Sequence, residues 1–276
     1  MVKQNPVRKI VIYALVVIIA IYSFFPIYWM FISSCRSYRE LFSSYSIIPG
    51  PFSLKSYENL LSMTKYAINF KNSVYVAFMT TAITLICSIL AAYVLTRYRV
   101  RGRQVVLQSM LFTYMFPPLL LAVPLYYIFT KMGLVDTLWG LIICHTTITL
   151  PLGVWLLWGF FKAMPFELEE AAMVDGASRI KAFFLVVLPL SLPGLLTVAI
   201  FSFLLSWTDY TFGLIILSSD VHKTLPVGLA TMVGAQDMGW GEVMAGAFLI
   251  SVPLLIMLVF VSKYFVEGLT AGAMKG

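Results

Sequence analysis

Six apolar runs, at 10–32, 73–96, 105–130, 138–161, 189–217 and 244–262, occupy more than half of this 276-residue chain, and the single formal charge within them is Asp209. A hydrocarbon core about 30 Å thick needs roughly 20 apolar residues of helix to cross it. The chain therefore reads as all-α, a polytopic membrane protein with six transmembrane helices forming one domain over residues 1–276. Composition excludes the main alternative. With 61% hydrophobic and 11% charged residues, the 19 Lys+Arg and 12 Asp+Glu cannot clothe a soluble surface of this size, which rules out a soluble enzyme. The net charge of +7 comes from basic residues between the apolar runs, so it marks loops at a phospholipid surface and not a nucleic-acid footprint.

Orientation follows from the basic residues, because cationic short loops resist translocation. Lys3, Arg8 and Lys9 precede the first run, and residues 97–103 place four arginines between the second and third. Both segments are expected in the cytoplasm. Six crossings put both termini there, together with 162–188 and the C-terminal tail, and leave 33–72 and 218–243 outside. The outer 33–72 segment carries five basic residues, but its length weakens their effect.

Within the runs, Pro117, Pro118, Pro124, Pro151, Pro193 and Pro253 each remove a backbone donor and disturb a helix. Freed carbonyls in a bilayer must face protein or a wet cavity, so the prolines fit a lined pathway and ordinary helix bending equally. Thr80, Thr84, Ser88, Ala92 and Thr96 recur every fourth residue, a strip of small side chains suited to close packing of another helix. Cys87 and Cys144 lie inside apolar runs and read as packing residues. Ile32-Ser33-Ser34-Cys35 looks like a lipoprotein cleavage site, but 10–32 is longer than a signal peptide's apolar region and reads as a span. Two histidines and three scattered cysteines offer no metal-ligand spacing, and no nucleophile–base arrangement supports catalysis.

The segment 164–188 is organised unlike a polar connector. Pro165 suits a first helical position, Glu167, Glu169 and Glu170 complement a helix N-terminus, and Asp175-Gly176 supplies a stop. Ser178 then caps a second helix with an apolar stripe of Ile180, Phe183, Phe184 and Val187. Ala171, Ala172, Gly176 and Ala177 keep this elbow thin enough to enter a socket on another protein, with Glu170 as the charged contact. An amphipathic segment lying on the membrane is the competing reading, but anionic lipid repels the acids at its start.

Glu170-Ala171-Ala172, Gly176 and Val186-Val187-Leu188-Pro189 resemble the coupling-loop signature of permease subunits in binding-protein-dependent ABC importers. The fuller string from Glu169 to Ser178, with Phe183 and the pair Pro189 and Pro193, is similar to the carbohydrate-uptake branch, although Val186 stands where the common pattern has isoleucine. Met115-Phe116-Pro117-Pro118, Pro124-Leu125-Tyr126 and Gly133-Leu134-Val135-Asp136-Thr137 resemble the third span and following loop of the maltose-type second inner permease subunit. Trp207-Thr208-Asp209-Tyr210 is similar to the family's Trp-Asn-Asp/Glu segment, with threonine for asparagine, and the tail 267–276 resembles the extension that enters the ATPase dimer.

The resemblance implies a heterodimer with a second permease, a dimer of ATPase subunits, an extracytoplasmic substrate-binding protein and a carbohydrate cargo, in a bacterial inner membrane. It assigns ATPase coupling to Glu170, Ala171, Ala172, Asp175, Gly176, Ala177 and Phe183. No Gly-x-x-x-x-Gly-Lys-Ser/Thr occurs, and none of the 17 glycines precedes a lysine, so ATP would be bound by partner subunits and the chain needs no cofactor of its own. The loop 218–243, with Lys223, Pro226, Gln236, Asp237 and Trp240, is the expected contact for the binding protein. Tyr114, Met115, Trp207 and Asp209 are candidates for the substrate pathway, because aromatic faces and a polar group suit a sugar ring; core packing is the competing reading for each. An ion-coupled secondary transporter is the alternative function, with Asp209 and His145 as its few titratable groups, but no internally repeated half accompanies them.

Overall fold

The computed structural model describes residues 6–37, 40, 41, 52–234 and 239–273, by backbone alone from residue 260 onward. Among the described residues all regular structure is helical: α1 (Pro6–Ser34), α2 (Lys55–Met63), α3 (Tyr66–Arg97), α4 (Arg103–Phe112), α5 (Pro118–Met132), α6 (Leu138–Ala163), α7 (Glu167–Val174), α8 (Arg179–Leu190), α9 (Leu192–Thr208), α10 (Thr211–Ile216), α11 (Leu225–Gly234) and α12 (Trp240–Ala273). They group into two compact units, Met1–Ala67 with Leu229–Pro253, and Ile68–Gly228 with Leu254–Gly276.

In the first unit α1 is apolar on all sides from Ile10 onward, and its side chains from Ile10 to Phe25 are exposed within this chain, reaching 81% at Tyr22. A helix of that length and all-round apolar character is suited to cross a bilayer. Past its end the chain is pinned to α2: Ser34 Oγ lies 2.7 Å from Tyr57 Oη, and Ser53 N donates to the carbonyl of Cys35 over 3.0 Å. Cys35 is fully buried, and burial pushes its thiol pKa up, as suits a packing residue. Asn59 donates to Glu242 Oε1 at 2.9 Å, and Tyr66 donates its hydroxyl to the Gly246 carbonyl at 2.9 Å.

Four helices are long and apolar enough to cross a bilayer singly: Val7–Ser34, Tyr66–Arg97, Leu138–Ala163 and Trp240–Val259. The other two expected spans are broken. Arg103–Met115 and Pro118–Met132 meet at 103°, and Arg179–Leu190 and Leu192–Thr208 at 72°. Counting each bent pair as one crossing restores six. The proline disturbance expected in the third span, 105–130, is a full break: Pro117 forces Phe116 into extended backbone, and Pro118 then starts a new helix. The fifth, expected over 189–217, is a single helix only from Leu192 to Thr208: Pro189 and Leu190 end α8, Asp209 turns extended, and α10 begins afresh. Pro124, Pro151 and Pro253, by contrast, are accommodated inside α5, α6 and α12.

In the second unit α6 is the central strut. Three of the five strip residues on α3 meet it: Thr84 Oγ1 lies 2.6 Å from Thr149 Oγ1, Ser88 abuts Gly153, and Ala92 shares a buried cluster with Leu157 and Phe161. Positions 84, 88 and 92 advance with 149, 153 and 157, so the two helices run in the same direction. An odd number of crossings must separate parallel spans, and the bent pair α4–α5 therefore acts as one. The strip is a packing seam, with close approach secured by small residues. At one end of α6, Leu141, Ile142 and Cys144 pack with Val76, Phe129 and Phe212; at the other, Leu157 and Phe161 pack with Val187 and Val198.

Candidate functional site

The elbow forms two helices as expected, but with shifted boundaries. Helix α7 starts at Glu167, so Pro165 stands before the helix and does not occupy its first position. Three acids fill the first turn, where the helix dipole favours negative charge. At the other end Ala177 N donates to the Ala172 carbonyl over 3.0 Å and Gly176 N to that of Met173 over 3.1 Å, the double bond pattern of a Schellman ending. Such an ending needs a left-handed residue, and Gly176 has φ +90°. Ser178 caps α8, accepting from Lys181 N over 3.3 Å.

The coupling candidates divide into two groups. Glu170, Ala171, Asp175 and Gly176 are exposed, with Ala172 and Ala177 half-buried beside them. Phe183 is half-buried, 4.8 Å from the ring of Tyr93 on α3, and ties the elbow to that helix. The expected apolar stripe of α8 is split. Residues Phe183–Val187 form a π-helical turn, which rotates the register: Val187 is buried while Ile180 and Phe184 stand exposed.

Glu169 belongs to the elbow in a way that sequence reasoning missed. It is 1% exposed, and its two oxygens are taken by Arg97 Nε and, at 3.0 Å, by the Tyr93 hydroxyl. The Arg97 guanidinium also lies 5.4 Å above the Phe166 ring, and its Nη2 is buried with no acceptor among the described residues. The available signal was Tyr93 and Arg97 themselves, one helical turn apart at the end of a span.

The substrate-pathway candidates are mostly engaged internally. Trp207 is buried, stacked on Phe203 at 5.6 Å and edge-on to Phe70 at 5.9 Å. Asp209 caps α10, accepting from Phe212 N at 3.3 Å and Gly213 N at 2.9 Å. Its Oδ2 also lies 3.2 Å from His145 Nε2, off the line of a hydrogen bond, while His145 Nδ1 is 2.8 Å from Ser206 Oγ. The carboxylate is 10% exposed, drier than its position near the end of the run implied. Tyr114 donates to the Ile148 carbonyl over 2.6 Å, and Met115 beside it is exposed. Because His145 and Ile148 are three residues apart, the Tyr114 and Asp209 pairs meet the same turn of α6.

The loop expected to meet a binding protein is held at its base by Asp136. Its Oδ1 accepts from the amides of Ser218 at 3.0 Å and Ser219 at 2.9 Å and from the Ser219 hydroxyl at 3.0 Å, with His222 Nδ1 3.5 Å away. Burial alone raises this carboxyl's pKa, but the Ser219 and Ser218 donors and His222 outweigh it and hold the value at about 2. Beyond the clamp Pro226 lies in α11, and Trp240 opens α12; Gln236 and Asp237 lie outside the described residues. The backbone of the 267–276 tail continues helical to Ala273, and 274–276 lie outside the described residues.

A family model described as "Binding-protein-dependent transport system inner membrane component" matches residues 60–270. The chain belongs to this family. The permease is 35% identical over 276 residues to the inner membrane ABC transporter permease protein YcjP of Escherichia coli, covering 99% of each chain. It is 34% identical over 277 residues to the trehalose/maltose transport system permease protein MalG of Thermococcus litoralis, again over 99% of each. A solved bacterial ABC transporter, described as involved in the import of the acidic polysaccharide alginate, contains a chain that superposes with a TM-score of 0.83 at 22% identity, covering 96% of the permease and 99% of that chain, which establishes the fold. The permease is thus an inner membrane component of an ABC importer and not itself an enzyme. Family membership sets aside the ion-coupled alternative.

Proposed function

We propose that this permease imports a carbohydrate as the second of two unlike permease subunits, and that ATPase subunits drive it through the elbow at 164–188. The observation that carries this reading is the split face of α7. Glu170, Ala171, Asp175 and Gly176 stand free on a thin, Schellman-ended turn, while Glu169 and Phe183 hold its back to the membrane-spanning helices. A protruding acidic turn on a rigid base is shaped to be gripped and pushed. ATP shifts a conformational equilibrium only by binding the two states unequally, and with no P-loop in this chain that difference resides in the partner. The carbohydrate class is supported by the name of the trehalose/maltose relative and by the Glu169-to-Ser178 string.

In the same reading the elbow and both termini face the cytosol, and the loop at 218–243, stiffened at its base by Asp136, meets the binding protein outside. Tyr114 and Met115 remain the pathway candidates with exposed surface. Co-purification of ATPase subunits with membrane-inserted Glu170→Lys and Gly176→Pro variants tests the docking. Both are expected to insert normally, to retain less ATPase and to lose ATP-dependent uptake into vesicles. Normal ATP-dependent transport in both defeats the reading.

A further inference from the structure

We propose that Glu169, Arg97 and Tyr93 form a joint that makes α7 and α3 move as one body, so that a push on the elbow reaches a membrane-spanning helix directly. The inference rests on the reading that ATPase subunits dock on this elbow.

Helix α7 has only eight residues, a short link at 164–166 before it and the Gly176 turn after it. A helix of this length does not hold its own orientation. The π turn at Phe183–Val187 lies beside α7, and its Phe183 and Val187 pack into an apolar cluster with α3 and α6, which sets proximity without direction. Glu169 supplies the direction. Its two carboxylate oxygens are bound by two donors, the Arg97 guanidinium and the Tyr93 hydroxyl, which lie one turn apart on α3. Two oxygens held from two points of one rigid helix fix both the position of α7 and its rotation about its own axis.

The charge pattern separates this work from docking. Adjacent acids on α7 have opposite fates, Glu170 outward and Glu169 fully inward. A carboxylate withdrawn from water is tolerated only when paired and hydrogen-bonded, and here both conditions are met by α3 alone. Arg97 meets Glu169 through Nε, while its Nη2 is buried with no acceptor among the described residues. The three residues are positioning residues: they act through α7 and touch no cargo.

The test measures relative motion in the complete complex, reconstituted in nanodiscs with the second permease and the ATPase subunits. Spin labels are placed at Glu167 on α7 and Leu90 on α3, with Cys35, Cys87 and Cys144 replaced by alanine, and distance distributions are recorded with and without ATP. With the joint intact, ATP is expected to leave the α7–α3 distance unshifted. In Glu169→Gln, ATP is expected to shift and broaden it; Tyr93→Phe, which removes one hydroxyl, is expected to do so to a smaller extent and serves alone if Glu169→Gln fails to reach the membrane. A merely structural role lowers the yield of complex without creating an ATP-dependent shift. The joint is overturned by an ATP-driven shift in the parent as large as in the variants, or by variants that remain unshifted. Failure of ATPase to co-purify with the parent chain sinks the docking reading and takes the joint with it, whereas retained ATPase with the overturning distances sinks the joint alone.

Discussion

His145 Nε2 on α6 and Asp209 Oδ2 at the end of α9 lie 3.2 Å apart, joining two groups separated by more than sixty positions in the chain. The pair ties the central helix of the second unit to the turn where α10 begins, and the same carboxylate caps α10 through the amides of Phe212 and Gly213. Asp209→Ala removes a cap and a buried partner together, a loss of about 1–3 kcal/mol. Asp209→Asn keeps an acceptor for the cap and is expected to lower the unfolding midpoint of the detergent-purified protein less. With His145→Ala the losses should fall short of additive, because the two substitutions remove the same contact. Equal effects of Asn and Ala, or full additivity, contradict this account.

The seam between α3 and α6 leaves no room at Gly153. A Cβ added there meets Ser88 Oγ and comes within 3.1 Å of Val198 Cγ1. Gly153→Ala is expected to destabilise by about 1–3 kcal/mol through overpacking, and Ser88→Ala in the same chain should restore part of the loss. The check is the thermal midpoint of the single and double variants; an unchanged midpoint for Gly153→Ala shows the seam to be looser than described.

Asp136 gives the loop after α10 a pH dependence with a definite sign. Its carboxyl sits at about 2 when folded, below the ordinary carboxylate value, so its contribution is fully present above about pH 4 and is lost as the pH falls towards 2. With 31% of the side chain exposed, solvent reduces that contribution to about 1 kcal/mol. Deuterium uptake at the Ser218 and Ser219 amides reads it directly. Relative to Asp136→Asn, the parent should protect these amides at pH 6 and converge with the variant near pH 2. Identical protection at pH 6 removes Asp136 from the role of clamp.

Tyr114 donates to the Ile148 carbonyl, close to Pro151, which lacks the amide that would continue the α6 ladder. Tyr114→Phe should cost about 0.5–1.5 kcal/mol and lower the thermal midpoint while leaving half-saturation of uptake in place. The reverse result, an unchanged midpoint with altered half-saturation, assigns the hydroxyl to the cargo route.

Much of the elbow was legible in the residues alone, because its signals are local. The acidic first turn, the Gly176 stop and the Ser178 cap each act within a few positions, and each is realised as hydrogen bonds along one stretch of backbone. Local reasoning failed where one residue changed its neighbour's geometry. The prolines marked a disturbance in the third run but not a break of 103° at Pro117, and the π turn at Phe183–Val187 rotated a stripe laid out on an ideal helical period. Pro165 was misplaced by a late helix start.

Hydropathy by itself determined that this chain is built of helices to span lipid, since that depends only on transfer of side chains from water. Only the tertiary structure decided which of two adjacent glutamates faces outward, that His145 answers Asp209, and that Asp136 holds the Ser218–Ser219 turn. Those choices depend on helices distant in sequence meeting at a particular rotation, and packing, not composition, sets that angle.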